Sequence, residues 1–146
     1  MNDKYDLSRF RNAQDICYHR VKAELSMGYK QSHWIWFVFP QLEGLGQSIT
    51  AREYALSSLD EAACYLSDDL LGNRLKECCE LLLAAKTNHL PDIMGDLDSI
   101  KVRSCVTLFN SLTKAEPIFQ LILDKYFSGK PDPLTLNLLG QQTTRH

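Results

Sequence analysis

Apolar residues recur at every third or fourth position along most of this chain, and that spacing is the strongest constraint on its fold. Between Ser8 and Met27 they fall at Phe10, Ala13, Cys17, Val21 and Leu25, which line one face of a helix with a 3.6-residue period. Gly28 follows where a left-handed cap residue is wanted. The period returns at Leu71, Leu75, Cys78, Leu82 and Ala85, in a segment opened by Asp68-Asp69 and closed near Lys86. Acids at its start and a lysine at its end suit the helix dipole, and Gly72 in its first turns allows a later start. It returns again at Leu97, Ile100, Cys105, Leu108 and Leu112, behind a capping Asp96.

Local punctuation supplies the remaining elements. Ser48 can cap a helix to about Ser57, Ser58-Leu59-Asp60-Glu61 has the capping-box pattern, and a short turn from Pro91 to Met94 ends at Gly95. Pro117 opens a helix that Gly129 closes, and Asp132-Pro133 is a cap-plus-first-position pair for a last short helix, Leu134 to Leu139. The run His33 to Pro40 has no clean period. Ser32 can cap a short helix there that Pro40 ends, which is the preferred reading over a buried strand. Turn pairs that would mark hairpins are absent, as are repeats, low-complexity stretches and linkers. The spacing predicts an all-α fold: a compact single-domain array of about seven helices, some short, over residues 1–139, with a flexible polar tail at 140–146.

Composition narrows the function classes. A net charge of −2 provides no overall basic field, so non-specific nucleic-acid binding is not expected. The longest apolar stretch, Trp34 to Pro40, is far shorter than the roughly 18 residues that span a bilayer, and no membrane role is expected. Met1 to Asp6 is polar, without the apolar core of a signal peptide, and the expected location is cytoplasmic. The five cysteines form no Cys-x-x-Cys pair and read as small buried hydrophobes in a reducing compartment. His19, His33, His89 and His146 are scattered without helical metal-ligand spacing, so no metal is expected, and no cofactor-binding glycine motif is present.

Two blocks carry the residues from which chemistry can be built. The first, Lys30 to Gln41, holds both tryptophans, and Gly44-x-Gly46 follows it. Trp34 and Trp36 offer stacking faces for a planar group, Lys30 an anion contact with Ser32 beside it, and His33 a group that titrates near neutrality. The alternative is that these aromatics are simply core. The second block runs from Gly95 to Ser104. Amides at a helix start, with Lys101, Arg103 and Ser104 following, can hold a phosphate or carboxylate, and Asp98 is a candidate acid–base or orienting group. Its alternative is a well-capped amphipathic helix with a surface Asp98–Lys101 pair.

The run Lys30-Gln31-Ser32-His33-Trp34-Ile35-Trp36-Phe37-Val38-Phe39-Pro40-Gln41, followed by Gly44-Leu45-Gly46, resembles the signature of domain-of-unknown-function family 1810. The likeness continues through Tyr54 to Leu66, through Asp98-x-x-Lys101-x-Arg103-Ser104-x-x-Thr107-Leu108-Phe109, and through Phe119 to Asp132. It spans Leu7 to Leu139. The resemblance implies a mainly helical fold and no established activity. Members sometimes carry a calpastatin-like label, yet inhibitors of that kind are disordered and repetitive, and this chain is neither. Met94-Gly95 departs from the family's Phe-Gly. A fainter likeness, to helical N-glycosidases acting on NAD- or ADP-ribose-linked compounds, rests on the aromatic first block and a Gly-Asp-x-Asp-like second block. Their Ser-Glu-His-type motif has no counterpart here, because Ser32 directly precedes His33.

Together these features lead to one expectation: a pocket where the two blocks meet. Trp34 and Trp36 would form one wall and Lys101 and Arg103 the other, with His33 or Asp98 as the catalytic groups of a hydrolase or N-glycosidase. The ligand would be small, anionic and nucleotide- or ADP-ribose-like. The competing class is a non-catalytic protein-interaction module that uses an exposed aromatic patch.

Overall fold

The structure, a computed structural model, describes residues 4–143. Among these are nine helices: α1 (Ser8–Met27), α2 (Ile35–Val38), α3 (Ile49–Glu53), α4 (Leu59–Ser67), α5 (Asp69–Ala84), α6 (Pro91–Met94), α7 (Asp96–Asn110), α8 (Pro117–Phe127) and α9 (Pro133–Thr143). The count exceeds the expected seven, and three of the nine, α2, α3 and α6, are single turns of four or five residues. No named strand occurs among the described residues, only an isolated bridge between Leu42 and Leu56.

The long helices begin and end where local chemistry dictates. Gly28 takes φ 80°, and the amides of Gly28 and Tyr29 close onto the carbonyls of Leu25 and Glu24. Ser58 accepts the Glu61 amide at 3.2 Å, and Asp68 accepts the amides of Leu70 and Leu71 at 3.0 and 2.9 Å. α5 therefore starts at Asp69, and Gly72 does not delay it. That glycine is buried against α4, where a Cβ would stand 2.0 Å from the Leu66 carbonyl oxygen. Close helix approach requires it.

Several expected boundaries move, those of α3 and α2 because a distant partner intervenes. α3 stops at Glu53 rather than Ser57. Arg9 takes the carbonyls of Glu53 and Ala55, and Leu56 then runs beside Leu42, its amide 2.9 Å from the Gln41 carbonyl. α2 has Trp34 rather than Ser32 at its start, since the Ser32 hydroxyl is engaged elsewhere. Gly95, not Asp96, holds the cap position of α7, leaving Asp96 one residue inside. α9 continues past Leu139 to Thr143; of the tail expected at 140–146, residues 144–146 lie outside the described ones, as do residues 1–3.

α5 packs against α1, α4 and α8, and α7 packs on α8, α4, α6 and α9. With neighbours on two sides, α5 buries both Cys78 and Cys79. Cys105 is also buried, but Cys17 is half-buried and Cys64 exposed, so the expectation of five buried cysteines holds for three. Cys64 lies on the outer face of α4, whose inner residues are Glu61, Ala62 and Tyr65. The stripe expected on α7 is also displaced. Leu97 and Ile100 are 75% and 60% exposed, because the inward face runs through Ser99, Val102, Cys105, Val106 and Phe109.

Candidate functional site

Glu24 organises the first block, and the apolar spacing gave it no role. It is buried in the last turn of α1 and receives four hydrogen bonds from the loop that follows. Its Oε1 accepts the amides of Gln31 (2.8 Å) and Ser32 (3.0 Å) and the Trp34 indole N–H (2.9 Å); its Oε2 accepts the Ser32 hydroxyl (2.6 Å). Burial alone raises a carboxyl pKa. Here the four donors outweigh it, led by the Ser32 hydroxyl, and hold the group at about 2. The loop is thus wound around a carboxylate from the preceding helix. The available signal was positional: Glu24 falls three residues after Val21 on the buried stripe, one turn before the Gly28 cap.

The same loop delivers Lys30 to the second block. The Lys30 amide donates to the Ile93 carbonyl at 2.8 Å, and its ammonium lies 2.8 Å from Asp98 Oδ2 while also meeting the Ser32 carbonyl. That ammonium sits 4.8 Å from the centre of the Trp34 ring. Lys101, one turn along α7 from Asp98, approaches Asp98 Oδ1 at 3.6 Å and lies 5.2 Å from the centre of the Trp36 ring. Lys30, Ser32, Trp34, Trp36, Asp98 and Lys101 therefore share one cluster, although the blocks are far apart in sequence.

Its shape differs from the expected hollow. Trp34 is 1% exposed and packs beside Phe39, and the Lys30 side chain is 7% exposed. What reaches the surface is the half-buried Trp36, the more open Lys101, and His33, whose imidazole is exposed with no hydrogen-bond partner among the described residues. The core alternative thus describes Trp34. Arg103 and Ser104 sit elsewhere. Arg103 donates to the carbonyls of Lys130 and Pro131, both at 3.0 Å, and lies over Phe127; Ser104 donates to Asp132 at 3.0 Å. Residue 103 projects from α7 some 200° around the axis from 101, which separates the two cations.

Two open hollows lie away from this cluster. One, of about 530 Å³, is bounded by the ends of α1 and α5 and by α6. The other, of about 380 Å³, lies between α4 and the Leu112–Lys114 turn. No group of three or more metal-ligating side chains occurs among the described residues, and no helix there is long and apolar enough to cross a membrane.

A family model described as "Protein of unknown function (DUF1810)" matches residues 4–139. The fold is similar to the crystal structure of the conserved hypothetical protein Rv1873 from Mycobacterium tuberculosis. The two chains share 46% sequence identity with a TM-score of 0.92, over 94% of this chain and 99% of that one. No curated protein matches.

Proposed function

The chain belongs to the family described as Protein of unknown function (DUF1810), and on that premise we propose that it binds a small anionic ligand where α2 meets the start of α7. A planar nucleotide- or ADP-ribose-like compound suits this face best. One observation carries the reading: the cluster holds a spare ammonium. Asp98 is paired at 2.8 Å with the nearly buried Lys30, so its 3.6 Å contact leaves Lys101 only loosely neutralised. Glu24 is already saturated by donors from its own loop. A phosphate or carboxylate reaching Lys101 meets the half-buried Trp36 ring, with exposed His33 on the same block to add a hydrogen bond. Both Asp98 oxygens already face ammonium groups, so the residue orients Lys101 rather than activating water, and hydrolysis is not part of the proposal.

Thermal-shift and calorimetric titrations with AMP, ADP-ribose and inorganic phosphate test this. Ligand at a hundred times its dissociation constant is expected to stabilise the fold by about 2.7 kcal/mol. Lys101→Ala is expected to abolish that gain and His33→Ala to weaken it, while His19→Ala, on the exposed side of α1, leaves it unchanged. Retention of the full gain in Lys101→Ala, or no gain with any of the three compounds, defeats the reading. A second reading, a partner protein docking on the outer face of α7, is supported by the exposure of Leu97 and Ile100 beside Lys101.

A further inference from the structure

The hollow at the ends of α1 and α5 plays no part in the reading above and has a chemistry of its own. Its volume of about 530 Å³ falls within the range of small-molecule sites. Met27, Leu81 and Ala84 give it an apolar lining, over the buried Leu25 and Ile93. Lys86 and Asp92 stand on the same hollow, both exposed, and neither forms an ion pair with the other or with anything else among the described residues. Asp92 is held in place through one oxygen, which accepts the Thr87 hydroxyl at 2.8 Å. Thr87 in turn accepts the His89 amide at 3.0 Å, which fixes the turn. The other Asp92 oxygen is left for a ligand.

Charge selects the class of occupant. One cation and one anion over an apolar floor give no net preference for a simple anion or a simple cation, and a wholly apolar guest leaves both charges unused. The three carbonyls at the end of α5 are already taken by the Lys125 ammonium, so the helix end needs no further cation. α1 ends on the hollow at Ser26 and Met27 with no basic residue in its last turn, which favours a positive group there. We propose that this hollow is a second binding site, for a small zwitterion with an apolar body, of the aliphatic amino-acid or dipeptide kind. Its ammonium meets Asp92, its carboxylate meets Lys86, and its side chain lies against Met27, Leu81 and Ala84.

The test is a ¹⁵N-NMR titration of the full chain with L-leucine and with the dipeptide Leu-Leu, which separates the two sources by charge spacing. Saturating shifts are expected at the amides of Gly28, Ala84 and Ile93 with one of the two. N-acetyl-leucine, which lacks the ammonium, and leucinamide, which lacks the carboxylate, are each expected to bind about tenfold more weakly than leucine. If Leu-Leu is the binder, its acetyl and amide derivatives replace them. In Asp92→Asn the penalty for acetylation disappears, and in Lys86→Gln the penalty for amidation disappears; both are surface changes, and the same spectra report that the chain is folded. Absence of saturating shifts with either compound up to about 20 mM overturns the proposal. So do equal affinities for the charged and blocked forms, or penalties that persist in the variants.

Discussion

Glu24 is a single carboxylate on which a seven-residue loop depends, and its acidity can be measured as stability. Its pKa lies near 2 in the folded chain against 4.5 for an ordinary glutamate. The folded state therefore binds fewer protons than the unfolded state between those values. The stabilisation is complete above about pH 4.5 and is lost as pH falls toward 2. A shift of this size corresponds to roughly 3 kcal/mol. Glu24→Gln keeps an acceptor for the amides but loses the charge, and is expected to lower stability at neutral pH by about 2 kcal/mol. Urea midpoints followed from pH 6 to about pH 3 should fall more steeply for the natural chain than for the variant. Parallel curves would show that the carboxylate is not what holds the loop. Position 24 lies three residues after Val21 and next to Leu25, so the stripe on α1 passes beside it without assigning it a role. A period cannot say which donors meet an inward carboxylate when they come from a loop beyond the helix end.

Among the elements, what was legible in the sequence follows one division: ends set by neighbouring residues could be read, and ends set by distant ones could not. The caps at Gly28, Ser48, Ser58 and Asp68 act within three residues of themselves, and all four stand where the residue types placed them. α3 ends early because Arg9 and the Leu42 segment claim the backbone after Glu53, and the inward face of α7 is chosen by α4 and α8. Gly72 shows the same division within one residue. Its sequence position suggested only a weakened helix start, whereas in the fold it lets α5 cross the Leu66 carbonyl of α4. Gly72→Ala improves helix propensity yet forces a methyl group into backbone. It is expected to destabilise the chain by about 3 kcal/mol, without altering helix content in the native state. Denaturant unfolding followed by circular dichroism decides it, and a variant as stable as the parent would mean that the two helices can separate at no cost.

For the molecule as a whole, the candidate cluster and the cysteines make the same point about packing. The two blocks were expected to meet around a hollow; Lys30 meets Asp98 as an ion pair instead, and the packed shape depends on Trp34 sinking beside Phe39, which no spacing encodes. The thiols turn that packing into a measurement. Cys64 is exposed, Cys17 is half-buried, and Cys78 and Cys79 on α5 are buried close to Cys105 on α7. Burial pushes Cys78 up to about 12 and Cys79 and Cys105 well above the ordinary thiol range, so their reactive thiolates are scarce in the folded chain. Labelling with a thiol reagent at about pH 8 should therefore modify Cys64 first and Cys17 more slowly. The three core thiols should follow together, at a rate that rises with urea in step with global unfolding, because α5 cannot open toward one neighbour without loosening the others. Mass spectrometry of the labelled peptides resolves the sites, Cys78 and Cys79 by fragmentation. If Cys105 reacts in the native chain while Cys78 and Cys79 stay protected, α7 opens independently of α5.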